Sequence, residues 1–297
     1  MKHRLSPLFI ALATLVVLPF AMPERMHLLV LRAKDQVEVA HGCSVFAPGI
    51  LDGEGRFEKA RREIFEVQRD GPLTMYDTPI GSIWYPTAAW TLPALVEMNQ
   101  ADQYRLRSTV KPGDIVLDVG ANVGTETRAA LSAGAGLVIA IEPEPLSLEC
   151  LRRNLSAEIR EKRVVIVPKG AWDKEEISTL HLDPADAGGA SFMWQKSDRA
   201  IQASLTTVDR LVADLRLPKV NLIKFHVEGA EKKALLGAAE TIRRYHPRLA
   251  ISLEHHLDDG DVLTAAAREI WPGYHVQFTP CTKTFNLIHP GVAFMAP

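Results

Sequence analysis

The chain is poor in cysteine and carries no excess of charge of either sign. Its 297 residues include three cysteines, Cys43, Cys150 and Cys281, which lie far apart and form no C-x-x-C pair. This spacing indicates neither a disulfide framework nor a zinc site, and it predicts free thiols in a reducing compartment. The formal net charge is −2, and no basic run is interleaved with aromatic residues, so the sequence predicts no nucleic-acid partner.

Internal repeats and low-complexity tracts are also missing from the sequence. Hydrophobic residues make up 47% of the chain and charged residues 24%, as is usual for a globular protein. A chain of 297 residues is long enough for one large domain, or for one domain with an appendage.

The first 25 residues differ in kind from the rest. A basic start at residues 2–4 precedes residues 5–23, which carry no formal charge. Such a segment predicts a membrane anchor or a signal-like segment. Pro19 makes a poor cleavage site, which favours an uncleaved anchor over a removed signal peptide. The alternative is that the true start is Met22 or Met26.

The densest local pattern is GDIVLDVGANVG at residues 113–124. The continuous apolar run predicts a parallel strand buried on both faces. Gly120 allows a sharp turn at the end of the strand, and Gly124 lets the next helix begin close to a ligand. Ligands of open α/β sheets bind at such strand ends. The alternative is a nucleotide-free βαβ unit with a tight turn.

The glycine spacing indicates which cofactor this turn binds. A dinucleotide fingerprint aligned on Gly120 needs glycine at positions 122 and 125, which hold Asn122 and Thr125. Asp118 is predicted to hold a positively charged or amino-bearing group. Glu142 ends the next strand, where its carboxylate can accept hydrogen bonds from both hydroxyls of a ribose.

Strands and helices alternate regularly from Lys111 onward. This order predicts an α/β fold, namely a doubly wound, Rossmann-like and mostly parallel sheet with an antiparallel pair at its C-terminal edge. Residues 173–207 interrupt the alternation and predict a hairpin or lid beside the site. The predicted organisation is an anchor or signal-like segment (1–25), an N-terminal extension with a helix and a hairpin (26–110) and a main domain (111–297). The predicted strands are 114–119, 137–142, 163–168, 220–227, 248–254, 274–278 and 286–295, and the predicted helices are 57–68, 123–133, 145–155, 231–245 and 261–270.

A second group of ionisable residues follows the strand in NLIKFHVEGAE, residues 221–231. His226, Glu228 and Glu231 stand at its carboxyl end, where a substrate would bind. We expect the two glutamates to orient substrate and to favour the start of the next helix, rather than to hold a divalent ion, so no metal site is predicted. His255 and His256 are consecutive, so they point to opposite faces of their strand and do not form a two-histidine site. Trp172 either stacks on an adenine or belongs to the core.

Together these motifs resemble the FkbM-type S-adenosylmethionine-dependent methyltransferases, a family with the class I methyltransferase fold. The pattern D-x-G-x-N-x-G and the segment VEGAE are specific in combination and weak alone, and the resemblance runs from about residue 78 to about residue 294. It implies S-adenosylmethionine as the cofactor and O-methylation of a hydroxyl on a sugar, glycolipid or natural product. The donor-binding residues it implies are Asp118, Gly120, Asn122, Gly124 and Glu142. Trp172 is added to them because of its position after the third strand. The other segments that carry the resemblance are 81–86, 111–117, 140–143, 150–154, 207–209 and 247–249 with Glu254.

One departure from the family pattern concerns catalysis. Where the family usually has an aspartate two residues before the glutamate, this chain has His226. A histidine titrates nearer neutrality and can serve as the base for a hydroxyl, so the predicted catalytic residues are His226, Glu228 and Glu231. The alternative is a catalytically impaired donor-binding or scaffold module of the same fold. An NAD-dependent oxidoreductase is disfavoured by the glycine spacing.

The predicted chemistry bears on where the protein works. Methyl donor is made in the cytosol, so we expect a membrane-anchored protein whose catalytic domain faces the cytosol, or a cytoplasmic protein if the start is mis-assigned. The predicted partner is a small-molecule, glycan or lipid acceptor, with membrane association through residues 5–23. The sequence does not determine the oligomeric state.

Overall fold

The computed structural model describes residues 26, 29, 32, 36–46, 52–183, 185–186, 188–195, 197–284 and 287–297. The strands are β1 (Glu38–Val39), β2 (Phe65–Asp70), β3 (Leu73–Asp77), β4 (Ile83–Pro86), β5 (Ile115–Val119), β6 (Leu137–Ile141), β7 (Val164–Val167), β8 (Gly170–Ala171), β9 (Glu176–His181), β10 (Ala200–Thr206), β11 (Leu222–Phe225), β12 (Arg248–Ser252), β13 (His275–Phe278), β14 (Cys281–Thr284), β15 (Leu287–Pro290) and β16 (Val292–Ala296). The helices are α1 (Asp52–Arg62), α2 (Leu92–Gln100), α3 (Leu106–Thr109), α4 (Thr125–Ser132), α5 (Pro145–Asn154), α6 (Ser156–Arg160), α7 (Val208–Asp214), α8 (Glu231–Leu236), α9 (Ala239–Tyr245) and α10 (Asp259–Ile270).

A seven-stranded sheet organises the fold in the order β13-β16-β12-β11-β5-β6-β7. The strands from β12 to β7 run parallel to one another. At the other edge β16 pairs antiparallel with both β12 and β13. The predicted fold class, a mostly parallel doubly wound sheet with an antiparallel C-terminal edge pair, is therefore confirmed. Among the described residues, three smaller three-stranded sheets accompany it.

Both faces of the sheet are covered, which explains the continuous apolar runs of its strands. Alternate residues of β5 face opposite cores: Ile115 and Leu117 belong to the core that includes Leu263 of α10, whereas Val116 belongs to the core that includes Leu151 of α5. All five residues of β5 are buried. The strand ends are thus fixed from both sides, and the loops that follow them rest on a rigid support.

Several elements have other bounds than predicted, each for a tertiary reason. The helix predicted over 231–245 is two helices, because Asp209 takes the backbone groups that would continue it: its N–H donates to the carbonyl oxygen of Gly237, and its carboxylate accepts from the N–H groups of Glu240 and Thr241. The strand predicted over 286–295 is also two strands, since β15 joins β1 and β14 whereas β16 joins the central sheet. The helix predicted over 57–68 ends at Arg62, and β2 follows it as an exposed strand that pairs with β3.

The hairpin predicted within the N-terminal extension is present and spans residues 73–86. Its strands are β3 and β4, which pair antiparallel. Gly81, with φ +98°, lies in their connection. Residues 173–207 contain the expected hairpin, formed by β9 and β10, with a long loop between the two strands.

The structure contradicts the prediction of a membrane-anchored protein. Across the described parts of the chain, no helix is long and apolar enough to cross a membrane. A span needs about 20 apolar residues, whereas α10, one of the longest described helices, has 12 residues. Residues 5–23, on which the prediction rested, lie outside the described residues.

A disulfide joins Cys43 to Cys281, with a Cα–Cα distance of 5.9 Å. The prediction of free thiols is therefore wrong for these two residues, whereas Cys150 is free and buried. The parallel pairing of β1 with β15 brings the two cysteines together, although 238 positions separate them in sequence. Disulfides persist in oxidising surroundings and are rare in the cytosol, so the bond also conflicts with the expected reducing compartment.

Reduction of this disulfide should lower the stability of the protein. We expect Cys43→Ser to decrease the free energy of unfolding by about 2–4 kcal/mol, because the bond restricts the unfolded chain. Urea denaturation with and without reductant measures the effect, and non-reducing electrophoresis verifies the bond. Cys150→Ala is the control, and it should keep the response to reductant. A Cys43→Ser protein as stable as the wild type would contradict the prediction.

Candidate functional site

A large cavity opens at the carboxyl ends of the parallel strands, with a volume of about 1360 Å³. It exceeds the ~300–1,000 Å³ of ordinary single-ligand pockets. Its walls come from the turn after β5, the ends of β6, β11 and β12, helix α2, and the loop between β9 and β10. A cavity of this size at this edge of the sheet can hold two ligands side by side.

The turn after β5 requires glycine at position 120. Gly120 has φ +83°, and a Cβ there would lie 1.7 Å from the backbone oxygen of His226. The turn and the end of β11 are therefore in direct backbone contact. Asn122 adopts a left-handed conformation with φ +48°, which asparagine tolerates better than most residues.

Asp118 lies beneath this turn and faces Lys224 across the sheet. The Lys224 Nζ is 3.1 Å from Asp118 Oδ1 and donates to the carbonyl oxygen of Gly120 at 2.7 Å. Thr127 donates to the other carboxylate oxygen of Asp118 at 2.6 Å. Asp118 is 2% exposed, so its carboxylate holds a cation of this chain rather than one in the cavity.

Glu142 follows β6 and is held by backbone donors. Its Oε2 accepts from the N–H of Asn122 at 2.9 Å, and its Oε1 accepts from the N–H of Glu144 at 2.8 Å. Burial raises the pKa of Glu142 to about 7, and these two hydrogen bonds oppose that rise. Each oxygen keeps a second lone pair, so the carboxylate can still accept hydrogen bonds from a ligand.

The predicted donor-binding residues divide into two groups. Gly120, Asn122 and Glu142 line the cavity. Asp118 supports the turn from below, and Gly124, with φ +92°, is the residue at which α4 begins. Trp172 packs edge-on against Phe192 at 6.1 Å, although its neighbours Gly170 and Ala171 reach the cavity wall.

The predicted catalytic residues lie on the opposite side of the same cavity. His226 continues β11, and its N–H donates to the carbonyl oxygen of Val119 at 3.0 Å. Its Nδ1 is 2.7 Å from the hydroxyl of Tyr104, which is buried. Its Nε2 is 3.5 Å from Glu228 Oε1. The ring is thus held at one nitrogen and directed at a carboxylate with the other.

His255 completes this group, although it was not among the predicted catalytic residues. Its Nε2 is 3.5 Å from the same Glu228 Oε1 that His226 approaches. Its Nδ1 is 3.2 Å from Glu231 Oε1, which also accepts from the N–H of Val227 at 2.8 Å. We call His226, Glu228, His255 and Glu231 the His–Glu cluster. His256, as expected from alternation, is not part of it.

The charges of the His–Glu cluster support one another. Burial alone would raise the pKa of Glu228, but hydrogen bonds from His226 and His255 outweigh it and hold that pKa well below its usual range. Burial likewise opposes charge on His255, yet the carboxylates of Glu228 and Glu231 raise its pKa well above the ordinary value. The pKa of Glu231 is lowered, since the contacts with His255 outweigh burial.

The loop between β9 and β10 covers the cluster side of the cavity. The Ser191 hydroxyl donates to the carbonyl oxygen of Glu228 at 2.8 Å, and Trp194 packs on Gly229, where a Cβ would lie 2.1 Å from its ring. The same loop reaches the side of the cavity formed by the turn after β5, since a Cβ at Gly188 would lie 3.0 Å from Asn122 Nδ2. The predicted lid therefore contacts the cavity wall on both sides.

Three residues of the site escaped sequence reasoning. Tyr104 comes from the segment before α3, His255 from the end of β12, and Trp194 from the lid. His255 follows a predicted strand, and this position at a strand end could have indicated it. Tyr104 and Trp194 reach the site through long-range packing, for which the sequence offers no local pattern.

Replacement of Gly120 by alanine should damage the site and the fold together. The new Cβ would overlap the carbonyl oxygen of His226 and would occupy a positive-φ conformation. We expect a loss of about 2 kcal/mol or more in the free energy of unfolding, measured by chemical denaturation. Gly55→Ala is the matched control, since a Cβ there meets nothing within 4 Å and should cost no stability. Equal stability of the two variants would refute the close approach.

Comparison with known proteins places this geometry in a family. Residues 118–272 match the family described as the methyltransferase FkbM domain. The curated 31-O-demethyl-FK506 methyltransferase FkbM of Streptomyces tacrolimicus is 25% identical over 160 residues, covering 44% of this chain and 62% of that protein. The tRNA U34 carboxymethyltransferase of Cronobacter sakazakii is 25% identical over 194 residues, covering 61% of this chain and 54% of that protein.

A solved structure is also similar to this chain. The crystal structure of methyltransferase FkbM from Methylobacillus flagellatus has a TM-score of 0.48 and 17% identity, covering 85% of this chain and 60% of that one. The chain spans less than two thirds of the length of each of these relatives. The family match covers more than half of this chain and includes the turn after β5, the end of β6 and the His–Glu cluster. The chain belongs to the FkbM methyltransferase family.

Proposed function

We propose that this protein is an S-adenosylmethionine-dependent O-methyltransferase that acts on a hydroxyl of a sugar, glycolipid or natural product. The observation that carries the proposal is the contact between Gly120 and His226, which sets the donor turn and the His–Glu cluster side by side in one cavity. The name of the Streptomyces tacrolimicus relative, which refers to an O-demethyl acceptor, supports transfer to oxygen.

The donor half suits the adenosine portion of this cofactor. Gly120 and Asn122 shape a turn with positive φ values that exposes backbone to a ligand. Glu142 lies beside it with lone pairs left for two ribose hydroxyls. When bound, the cofactor supplies an electrophilic methyl group on a sulfonium. Of the other predicted donor residues, Asp118 and Gly124 shape the turn, and Trp172 supports the wall beside it.

The acceptor half suits a hydroxyl group. His226 and Glu228 both line the cavity, with side chains 19% and 18% exposed, and they can hydrogen-bond a hydroxyl placed between them and the donor turn. Glu231 is nearly fully buried and acts as a positioning residue through His255. Methyl transfer is an in-line displacement, so orientation of the hydroxyl supplies much of the rate.

The proposed reaction forms one bond and breaks another. The acceptor oxygen bonds to the methyl carbon, and the electron pair of the broken carbon–sulfur bond stays on sulfur. The hydroxyl proton passes to His226, whose Nδ1 is fixed by Tyr104, so that its Nε2 faces the cavity. Glu228 stabilises the imidazolium that forms, 3.5 Å from Nε2.

Donor binding is tested by calorimetry with S-adenosylhomocysteine. We expect Glu142→Gln to weaken binding by about 10-fold or more, because hydrogen bonds to a charged group contribute about 1.5–3 kcal/mol. Glu149→Gln is the control, since this carboxylate lies on the outer surface of α5 and pairs with Arg153. Binding of NAD in preference to S-adenosylhomocysteine would overturn the proposed cofactor.

Catalysis is tested with labelled donor and a panel of glycans, glycolipids and hydroxylated small molecules. We expect His226→Ala to lower kcat by about 100-fold or more, while affinity for S-adenosylhomocysteine stays within about twofold. His256→Ala, which removes the exposed histidine that follows His255 in sequence, should keep full activity. His226→Asp should be slower than the wild type, and a faster enzyme would show that histidine is not the preferred base.

One alternative function follows from His226 itself. A chain that binds S-adenosylhomocysteine but transfers no methyl group to any acceptor would be a donor-binding module.

The acceptor panel also includes RNA, because one relative is named as a tRNA carboxymethyltransferase. Transfer to RNA alone would replace the proposed acceptor class while keeping the donor.

A further inference from the structure

Three potential metal ligands converge on one point of the cavity wall. The ligand atoms of His226, Glu228 and His255 all lie within 4.8 Å of one another. The Nε2 atoms of both histidines are 3.5 Å from a single oxygen, Glu228 Oε1. With metal–ligand bonds of about 2.1 Å, tetrahedral ligand atoms are about 3.4 Å apart. The two separations from Glu228 Oε1 to the histidine nitrogens therefore match those around an ion, and the third lies within 4.8 Å.

Each histidine is held at its other nitrogen by an oxygen. The Tyr104 hydroxyl is 2.7 Å from Nδ1 of His226, and a Glu231 carboxylate oxygen is 3.2 Å from Nδ1 of His255. Histidines that bind metals usually donate their second N–H to such a partner, which fixes the tautomer and leaves Nε2 free to bind. Tyr104 gives this outer support to His226 through a hydrogen bond, whereas Glu231 approaches Nδ1 of His255 at an ion-pair distance without hydrogen-bond geometry.

The backbone at Glu228 holds its carboxylate between the two rings. Glu228 has φ +52°, a conformation uncommon for glutamate, and the next residue, Gly229, has φ +90°. Such strain persists where the surroundings over-determine it and is concentrated at functional sites. Here Trp194 packs on Gly229 and Ser191 bonds the Glu228 carbonyl, so the lid fixes the turn.

We propose that His226, Glu228 and His255 bind one divalent transition-metal ion, with Zn²⁺ the best match. Two imidazole nitrogens and one carboxylate oxygen suit Zn²⁺ and its first-row neighbours better than Mg²⁺ or Ca²⁺, which prefer oxygen. The three side chains line the cavity, so a fourth position faces the acceptor. Tyr104 and Glu231 are positioning residues for the two rings.

This inference rests on the proposed function for its role in the reaction. A hydroxyl bound to such an ion is more acidic than a free one, so the cluster would act on the same acceptor oxygen through the metal. His226 would then be a metal ligand in place of the base, and the proton of the bound hydroxyl would pass to solvent water. The histidine at the position of the usual aspartate would be a change of metal-binding chemistry rather than a loss of activity. The site itself can be tested without any acceptor.

The test uses the full chain without a histidine tag. Protein is stripped with a chelator, and Zn²⁺ binding is measured by calorimetry, with Co²⁺ absorption spectra as a report of coordination. We expect one ion per chain, and at least 100-fold weaker binding in His226→Ala and in His255→Ala. Tyr104→Phe keeps all three ligands and should weaken binding about 10-fold. His256→Ala should bind as the wild type does. Circular dichroism verifies that each variant is folded.

Two outcomes of these measurements would overturn the proposed metal site. Absence of stoichiometric binding by the wild type would show that the His–Glu cluster holds no metal ion. Binding that His226→Ala leaves unchanged would place the ion elsewhere. Methyl transfer by metal-free protein would exclude a role of the metal in the reaction and leave the proposed function intact. Metal binding without transfer to any acceptor would support the metal site and overturn the proposed function.

Discussion

The buried ion pair between Lys224 and Asp118 is the interaction on which the site depends. The two residues are neighbours in register on β11 and β5, and their side chains are 4% and 2% exposed. Removal of one partner from such a pair typically costs about 3–5 kcal/mol, because the other charge is left buried and uncompensated. Lys224 also donates to the carbonyl of Gly120. One ammonium group thereby joins the two central strands and the turn that follows them.

The two halves of the cavity inherit their geometry from this pair. Gly120 comes two residues after Asp118, and His226 comes two residues after Lys224, so each half is displaced from the ion pair by the same distance along its strand. Backbone contact between Gly120 and His226 then sets their separation. A displacement reaction needs donor and acceptor at a fixed distance and angle. Adjacent parallel strands supply that constraint without any motion of the core.

The sequence predicted what is decided locally. Short patterns were enough to place the parallel strands, the turn at Gly120 and the ionisable residues Glu142, His226, Glu228 and Glu231. A strand and the residues that follow it are recognisable from the local sequence alone. What the sequence did not disclose depends on distant partners. The helix break after Gly237 comes from hydrogen bonds to Asp209, which lies on another helix.

The missed site residues share that cause. His255 reaches Glu228 because β12 lies beside β11, and Tyr104 reaches His226 from a segment outside the sheet. Consecutive histidines appeared unsuitable for a metal site, yet His255 finds its partners on another strand rather than in His256. The disulfide escaped for the same reason, since nothing near either cysteine marks its partner.

That disulfide has a consequence for the cavity wall. It joins residues that lie before and after the whole parallel sheet in sequence, and Cys281 together with its neighbours Thr282 and Lys283 forms part of that wall. The bond therefore ties a segment that precedes the sheet to a wall segment that follows it. Through Cys281, the redox state of the surroundings reaches the cavity itself.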